Sequence, residues 1–101
     1  MGFDSRVYSL LKRVPQGKVT TYKEIANALN MKGYRAVGQA LKRNRYAPSV
    51  PCQRVVKSDG SLGGYGGVSA EGVKKKIMLL QKEVVEVRNR RVEMEKYMWK
   101  F

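Results

Sequence analysis

The 101-residue sequence contains no histidine and only one cysteine. Without imidazole, the chain lacks the side chain that most often serves as a general base near neutral pH or as a metal ligand. A lone cysteine excludes an internal disulfide. No run of about 20 apolar residues predicts a transmembrane helix, and no N-terminal apolar segment resembles a signal peptide. We therefore expect a cytoplasmic protein that needs neither a metal nor a cofactor.

Acidic residues are also scarce, since 8 Asp and Glu stand against 21 Lys and Arg and leave a net charge of +13. This excess goes beyond what solubility needs and indicates a polyanionic partner. DNA or RNA is the first candidate, and an anionic membrane surface is the second. The remaining alternative is a solvated basic surface of the kind that thermophilic proteins carry.

The length and composition predict one compact domain that spans residues 1–101. A hydrophobic share of 43% and a charged share of 29% are close to globular averages, so the chain is expected to fold. At this length it can bury one core, but not two of ordinary size.

Apolar residues at helical spacing predict helices over 4–13, 22–29 and 35–43. Thr21 and Glu24 have the spacing of a capping box at the start of the second helix. The second and third helices, joined by a turn that contains glycine, form a predicted helix-turn-helix. The residues of the third helix expected to face inward are Ala36, Val37, Ala40 and Leu41.

The outward face of the third predicted helix is basic and carries small residues. Such a face is typical of a recognition helix that approaches a duplex closely, and equally of an ordinary solvated helix. The total charge of the chain favours the first alternative. The residues concerned are Arg35, Gln39, Lys42 and Arg43, with small Ala36 and Gly38 beside them.

The only cysteine lies in the segment Pro51-Cys52-Gln53-Arg54-Val55. A lone cysteine is most often a small buried apolar residue. As a nucleophile it must become a thiolate, and here the activating group must be something other than imidazole. We predict a strand over 54–56, a turn over 58–60, and a glycine-rich loop over 60–67 that either approaches a planar ligand closely or forms a simple hairpin turn.

The last third of the chain predicts a helix followed by a hairpin. The helix covers 69–82, with Lys74, Lys75 and Lys76 on a solvated or phosphate-facing surface. Residues 84–87 are strand-like and turn at Asn89. The residues expected to pack inward are Val73, Ile77 and Leu80 of the helix and Met94, Tyr97 and Trp99 of the tail.

Four ordered motifs together resemble the catalytic domain of the O6-alkylguanine-DNA alkyltransferases, also called methylated-DNA–protein-cysteine methyltransferases. The motifs lie at 14–22, 35–44, 51–56 and 63–67. The resemblance covers nearly the whole chain. It implies an α/β fold, mostly α, with a winged-helix-like DNA-binding domain and no cofactor.

The implied reaction is a single-turnover transfer of an alkyl group from O6-alkylguanine in double-stranded DNA to Cys52, after minor-groove binding and base flipping. Arg35 matches the arginine that replaces the extruded nucleotide, Tyr22 the tyrosine that presses on the adjoining phosphate, and Asn44 the asparagine that holds the hinge loop. The resemblance also implies DNA contacts from Ala36, Gln39 and Arg54, and a base pocket formed by Leu41, Val55, Tyr65 and Gly66.

The sequence departs from the family pattern at Gln53, where the family has a histidine. That histidine removes the thiol proton through water and is oriented by a glutamate, whose counterpart is Glu83. Glutamine cannot accept a proton at neutral pH, so we expect transfer that is slower or has an altered lesion preference. Family members also usually carry a domain before this one, and we expect its absence to leave the site intact.

Two other functions fit parts of the sequence. The alkyltransferase-like proteins bind alkylguanine without repairing it and recruit other repair proteins, but they lack the cysteine that this chain has. A regulatory DNA-binding module accounts for the charge but leaves the cysteine and glycine motifs unexplained. We expect a monomer associated with the nucleoid, with damaged DNA and other repair proteins as its partners.

Overall fold

The computed structural model describes residues 2–47, 49–62 and 70–101 of the chain. Five helices and four two-residue strands follow one another in these ranges. In chain order they are α1 (Phe3–Leu11), β1 (Thr20–Thr21), α2 (Tyr22–Ala28), α3 (Arg35–Lys42), β2 (Val55–Val56), α4 (Ala70–Lys82), β3 (Val87–Arg88), β4 (Arg91–Val92) and α5 (Met94–Tyr97), with a 3₁₀ turn over Cys52–Arg54 before β2.

The three N-terminal helices form the larger part of the core, as their apolar spacing predicted. α3 packs against both α1 and α2. Thr21 caps α2, since its Oγ1 accepts a hydrogen bond from the backbone N–H of Glu24 at 3.0 Å. The buried apolar residues that these helices contribute are Val7, Leu11, Ile25, Ala26, Val37 and Ala40.

Ala36 departs from the prediction for α3, because its side chain is exposed and does not face the core. The buried residues Val37 and Ala40 are three positions apart and define the inner face of the helix. Ala36 lies outside that face, next to Arg35, where it remains available to a ligand.

A parallel pairing joins the two halves of the chain. β1 pairs with β2, with Thr20 opposite Val55 and Thr21 opposite Val56. Arg54 was predicted in this strand but belongs to the 3₁₀ turn that precedes it. Because the strands are parallel, the cysteine turn before β2 lies at the end where β1 begins, and α2 starts at the opposite end.

α4 packs against the cysteine turn. The burial of one of its lysines differs from the sequence prediction. Lys76 was expected at the surface but is 0% exposed. It lies four residues before buried Leu80 and therefore on the same helix face. Lys74 and Lys75 are exposed, as predicted.

The C-terminal hairpin and tail complete the fold. β3 and β4 are antiparallel around Asn89 and Arg90, which both have positive φ, so the predicted turn is confirmed. The predicted strand start at Val84 is wrong, since this residue has φ 64° and is 81% exposed. The tail packs back on the core, where the Val19 N–H donates to the Tyr97 carbonyl at 2.9 Å.

The architecture confirms a mixed α/β fold, about half helical and with short strands. No helix in the described ranges is both long and apolar enough to cross a membrane. The glycine-rich motif over 63–67 lies outside the described residues, so the predictions for Tyr65 and Gly66 fall there too.

Candidate functional site

Cys52 begins the 3₁₀ turn and lies at the edge of the larger core cluster. It is 9% exposed, the largest exposed fraction among the buried members of that cluster. The turn is held by two backbone hydrogen bonds, from the Cys52 N–H to the Val50 carbonyl at 2.8 Å and from the Arg54 N–H to the Pro51 carbonyl at 3.0 Å. The backbone of the turn is therefore fixed, and Cys52 is buried with a small exposed fraction.

Gln53 contacts Glu83. In the family that the sequence resembles, a histidine stands at position 53 and a glutamate at the position of Glu83 orients it. The Gln53 Nε2 donates to a Glu83 carboxylate oxygen at 3.2 Å. Gln53 is 2% exposed, and its Oε1 is buried with no hydrogen-bond partner among the described residues. An amide at this position can orient a proton donor, but it cannot take up the thiol proton.

Arg54 joins three elements around the cysteine turn. Its Nε and Nη2 bind both oxygens of Glu83 at 2.9 and 2.6 Å, and its Nη1 donates to the Val14 carbonyl at 2.8 Å. The side chains of Arg54 and Glu83 are only 15% and 12% exposed. A bidentate pair this well enclosed fixes the turn against the ends of α1 and α4. The predicted contact of Arg54 with DNA stays a prediction, and this geometry favours a positioning role.

Lys76 enters the site from α4. Its Nζ donates to the Val55 carbonyl at 2.5 Å, three residues after the cysteine. Burial lowers the pKa of Lys76 to about 8, while the nearby charge of Cys52 acts in the opposite direction and raises it. A titratable cation thus lies in the interior close to the nucleophile.

Tyr22, the first residue of α2, is half-buried against the same core cluster. Burial raises the pKa of Tyr22 to about 12, and the charge of Cys52 adds to the effect. Its hydroxyl therefore stays protonated at neutral pH and can donate a hydrogen bond to an acceptor such as a phosphate oxygen.

The outer face of α3 presents Arg35, Ala36 and Gln39 to solvent. Arg43 was assigned to the same basic face, but its guanidinium forms two hydrogen bonds of 2.8 Å with the carboxylate of Asp4 on α1. This exposed pair ties the end of α3 to the start of α1, and it lowers the pKa of Asp4.

Asn44 connects α3 to the cysteine turn. Its Nδ2 donates to the Val50 carbonyl at 2.9 Å, and its Oδ1 accepts from the Tyr46 N–H at 2.9 Å. These bonds connect the end of α3 to the segment before the cysteine turn, and the hinge-holding role of Asn44 stays a prediction. Leu41 is half-buried against the cluster that contains Cys52 and Val55, so these three residues are brought together.

Sequence reasoning missed the burial of Lys76 and the Arg54–Glu83 pair. The spacing of Lys76 and Leu80 was a signal for the first, because both fall on one face of the predicted helix. The second had no local signal, since Arg54 and Glu83 are 29 residues apart in the chain.

Residues 2–85 match a protein-family model. That model describes the DNA binding domain of 6-O-methylguanine DNA methyltransferase. A bifunctional methyltransferase/endonuclease of Picrophilus torridus is 43% identical over 94 residues, which is 92% of this chain and 30% of the relative. A methylated-DNA–protein-cysteine methyltransferase of Candida glabrata is 44% identical over 87 residues, covering 85% of this chain and 40% of the relative. The chain thus spans less than half the length of these curated relatives.

Solved structures of alkyltransferases and alkyltransferase-like proteins are also similar to this chain. The crystal structure of S. pombe Atl1 with DNA containing O6-carboxymethylguanine is similar at a TM-score of 0.86 and 32% identity, covering 98% of this chain and 95% of that chain. The Mycobacterium tuberculosis OGT bound to DNA is similar at a TM-score of 0.75 and 40% identity, covering 83% of this chain and 49% of that chain. With the family model matching most of its length, the chain belongs to the 6-O-methylguanine DNA methyltransferase family.

Proposed function

We propose that the protein repairs O6-alkylguanine in double-stranded DNA by transferring the alkyl group to Cys52. The observation that carries this proposal is the retained cysteine on a fixed turn, next to Gln53 and Glu83, in a chain that the family model covers over residues 2–85. The relatives and structural neighbours named above include methylated-DNA–protein-cysteine methyltransferases and proteins bound to damaged DNA.

The transfer is a single displacement. The Cys52 thiolate attacks the alkyl carbon, a sulfur–carbon bond forms, and the bond between that carbon and O6 breaks with its electron pair left on the base. The guanine then takes up one proton, which balances the proton that the thiol lost. The thioether is not released, so each protein molecule acts once.

The charge and the surface of α3 support DNA as the substrate. An O6 atom inside a duplex is out of reach of a protein sulfur, so the nucleotide must leave the stack at a cost of a few kcal/mol. Exposed Arg35 is long and cationic, and small Ala36 beside it allows a close approach to the groove. Phosphate contacts made by the +13 chain supply much of the affinity. On this proposal the protein acts as a monomer in the nucleoid.

The direct test is incubation with a duplex oligonucleotide that contains one O6-methylguanine, followed by mass spectrometry of the peptide that contains Cys52. We expect one methyl group on that peptide and unmodified guanine in the DNA. A matched duplex with guanine at the same position is the control. Tight lesion binding with no methyl on the peptide would overturn the proposal.

That last outcome would support the second candidate function, binding of alkylated DNA without repair. Two observations favour it: the fit to Atl1 extends over 98% of this chain, and position 53 holds an amide that cannot act as a base. On this alternative the complex marks the lesion for other repair proteins, and Cys52 is a core residue.

Arg35→Ala is expected to weaken binding to the lesion-containing duplex more than binding to undamaged duplex. The reason is that an inserted side chain stabilises only the complex in which a nucleotide has been extruded. We expect a loss of about tenfold or more on damaged DNA, by fluorescence anisotropy at fixed salt. Lys42→Ala, an exposed cation on the same helix, is the control and should weaken both duplexes equally. Equal losses for Arg35→Ala would contradict its role in extrusion.

Gln53→His is expected to speed transfer. An imidazole at this position lies within reach of Glu83, which accepts a hydrogen bond from the present amide, and it supplies a proton acceptor near neutral pH. We expect a single-turnover rate about tenfold higher at pH 7. Gln53→Met, which keeps the volume but neither donates nor accepts strongly, serves as the control and should not accelerate the reaction. An unchanged rate for Gln53→His would mean that another group limits ionisation of the thiol.

A further inference from the structure

A buried cation lies beside the nucleophile, and the transfer chemistry above does not use it. Lys76 is 0% exposed and is the largest of the fully buried side chains in the described ranges. Burying an ammonium group is unfavourable by several kcal/mol unless nearby groups compensate. A lysine retained in such a place therefore calls for a functional explanation.

The geometry directs the charge of Lys76 toward the cysteine turn. Its Nζ donates to the carbonyl of Val55, the residue that follows the Cys52–Arg54 turn. α4, which carries Lys76, packs directly against this turn. The ammonium group is thus anchored to the backbone on the same short segment that carries the thiol.

The other charged groups around the thiol do not replace Lys76. Arg54 is neutralised by the bidentate contact with Glu83. Lys57 follows β2, is exposed, and its charge lowers the pKa of Lys76. Tyr22 on α2 and Tyr8 on α1 both have a raised pKa and are neutral at pH 7. Lys76 is therefore a buried cation, and its charge interacts with that of Cys52.

We propose that Lys76 is the counter-charge that favours ionisation of Cys52 in a site that has no imidazole. This inference builds on the proposed alkyl transfer. The S–H bond breaks, its proton passes to solvent, and the thiolate is stabilised by the fixed ammonium in a medium of low dielectric constant. The ion pair is in equilibrium with the un-ionised thiol, so an imidazole added at position 53 still raises the thiolate fraction.

The test measures the thiol itself, without DNA. Because the chain has one cysteine, selective ¹³Cβ labelling gives a single NMR signal whose shift reports ionisation of Cys52 against pH. In Lys76→Met, which keeps the length and loses the charge, we expect the thiolate fraction at pH 7 to fall about tenfold or more. Lys76→Arg keeps the charge and should retain most of the thiolate. Lys74→Met, an exposed lysine of the same helix, should leave the titration unchanged.

Lys76→Met can also disturb packing, so the wild-type protein provides a second measurement. Selective ¹⁵Nζ labelling of lysine should show one amino group titrating near pH 8, and methylation of Cys52 with methyl iodide, which removes the thiolate charge, should lower that pKa. A cysteine titration identical in wild type and Lys76→Met, or an Nζ signal indifferent to Cys52 methylation, would overturn the proposal.

These outcomes are separable from those of the proposed function. If Lys76→Met depresses the thiolate fraction but no methyl is transferred from DNA, the counter-charge stands and the repair reaction fails. If methyl is transferred and the thiol titrates identically in both proteins, repair stands and the assignment of Lys76 fails.

Discussion

Cys52→Ala is expected to abolish alkyl transfer completely while leaving the affinity for an O6-methylguanine duplex unchanged. On the proposed function the transferred carbon forms a bond to an atom of the protein, and Cys52, the single cysteine of the chain, lies on a turn at the edge of the core. On the proposed function, affinity depends on other groups, namely phosphate contacts and the outer face of α3. The measurement pairs peptide mass spectrometry with anisotropy titrations of damaged and undamaged duplex.

Cys52→Ser is the matched variant for this experiment. A hydroxyl keeps the shape of the thiol but is far less ionised and less nucleophilic at neutral pH, so it too should give no transfer. A methyl group found on Cys52→Ala protein would show that another side chain accepts it. Loss of lesion binding in both variants would show that the sulfur contributes to recognition, contrary to the expected result.

The helical part of the fold could be predicted because its signals are local. The capping residue Thr21, the apolar spacing of Val37 and Ala40 and the turn at Asn89 each act within a few residues of themselves, and the structure confirms each one. The proximity of Gln53 and Glu83 was inferred from family resemblance, since 30 residues separate them. The hydrogen bond between them shows that these two side chains are in contact.

The rest of the site depends on contacts that no local pattern records. The family resemblance implies a DNA contact for Arg54, and that contact stays a prediction. Within the chain it binds Glu83, the residue after α4, and the Val14 carbonyl after α1, contacts that no local pattern indicates. Lys76 was read as solvated because it follows two other lysines, although its spacing to Leu80 favoured the interior. Where charge and periodicity disagree in a helix, periodicity decides which face is buried.

Glu83→Ala is expected to be among the most destabilising single substitutions in this domain. The Glu83 carboxylate accepts hydrogen bonds from Arg54 and from Gln53, and its removal leaves an arginine that is 15% exposed without its counter-charge. Breaking a buried ion pair on one side costs about 3 kcal/mol or more. We expect a loss of that size in the free energy of unfolding, measured by urea titration and followed by circular dichroism.

Glu86→Ala is the control for this loss, because Glu86 also pairs with an arginine but its pair with Arg88 is exposed at 49% and 81%. Exposed pairs of this kind contribute little, so the control should change stability by less than about 1 kcal/mol.

Replacing both Arg54 and Glu83 with leucine should recover much of the loss, since no isolated charge then remains buried. If Glu83→Ala is no more destabilising than Glu86→Ala, the pair does not fix the cysteine turn. If instead Glu83→Ala unfolds at clearly lower urea while the double variant recovers, the turn that carries Cys52 depends on this pair for its position.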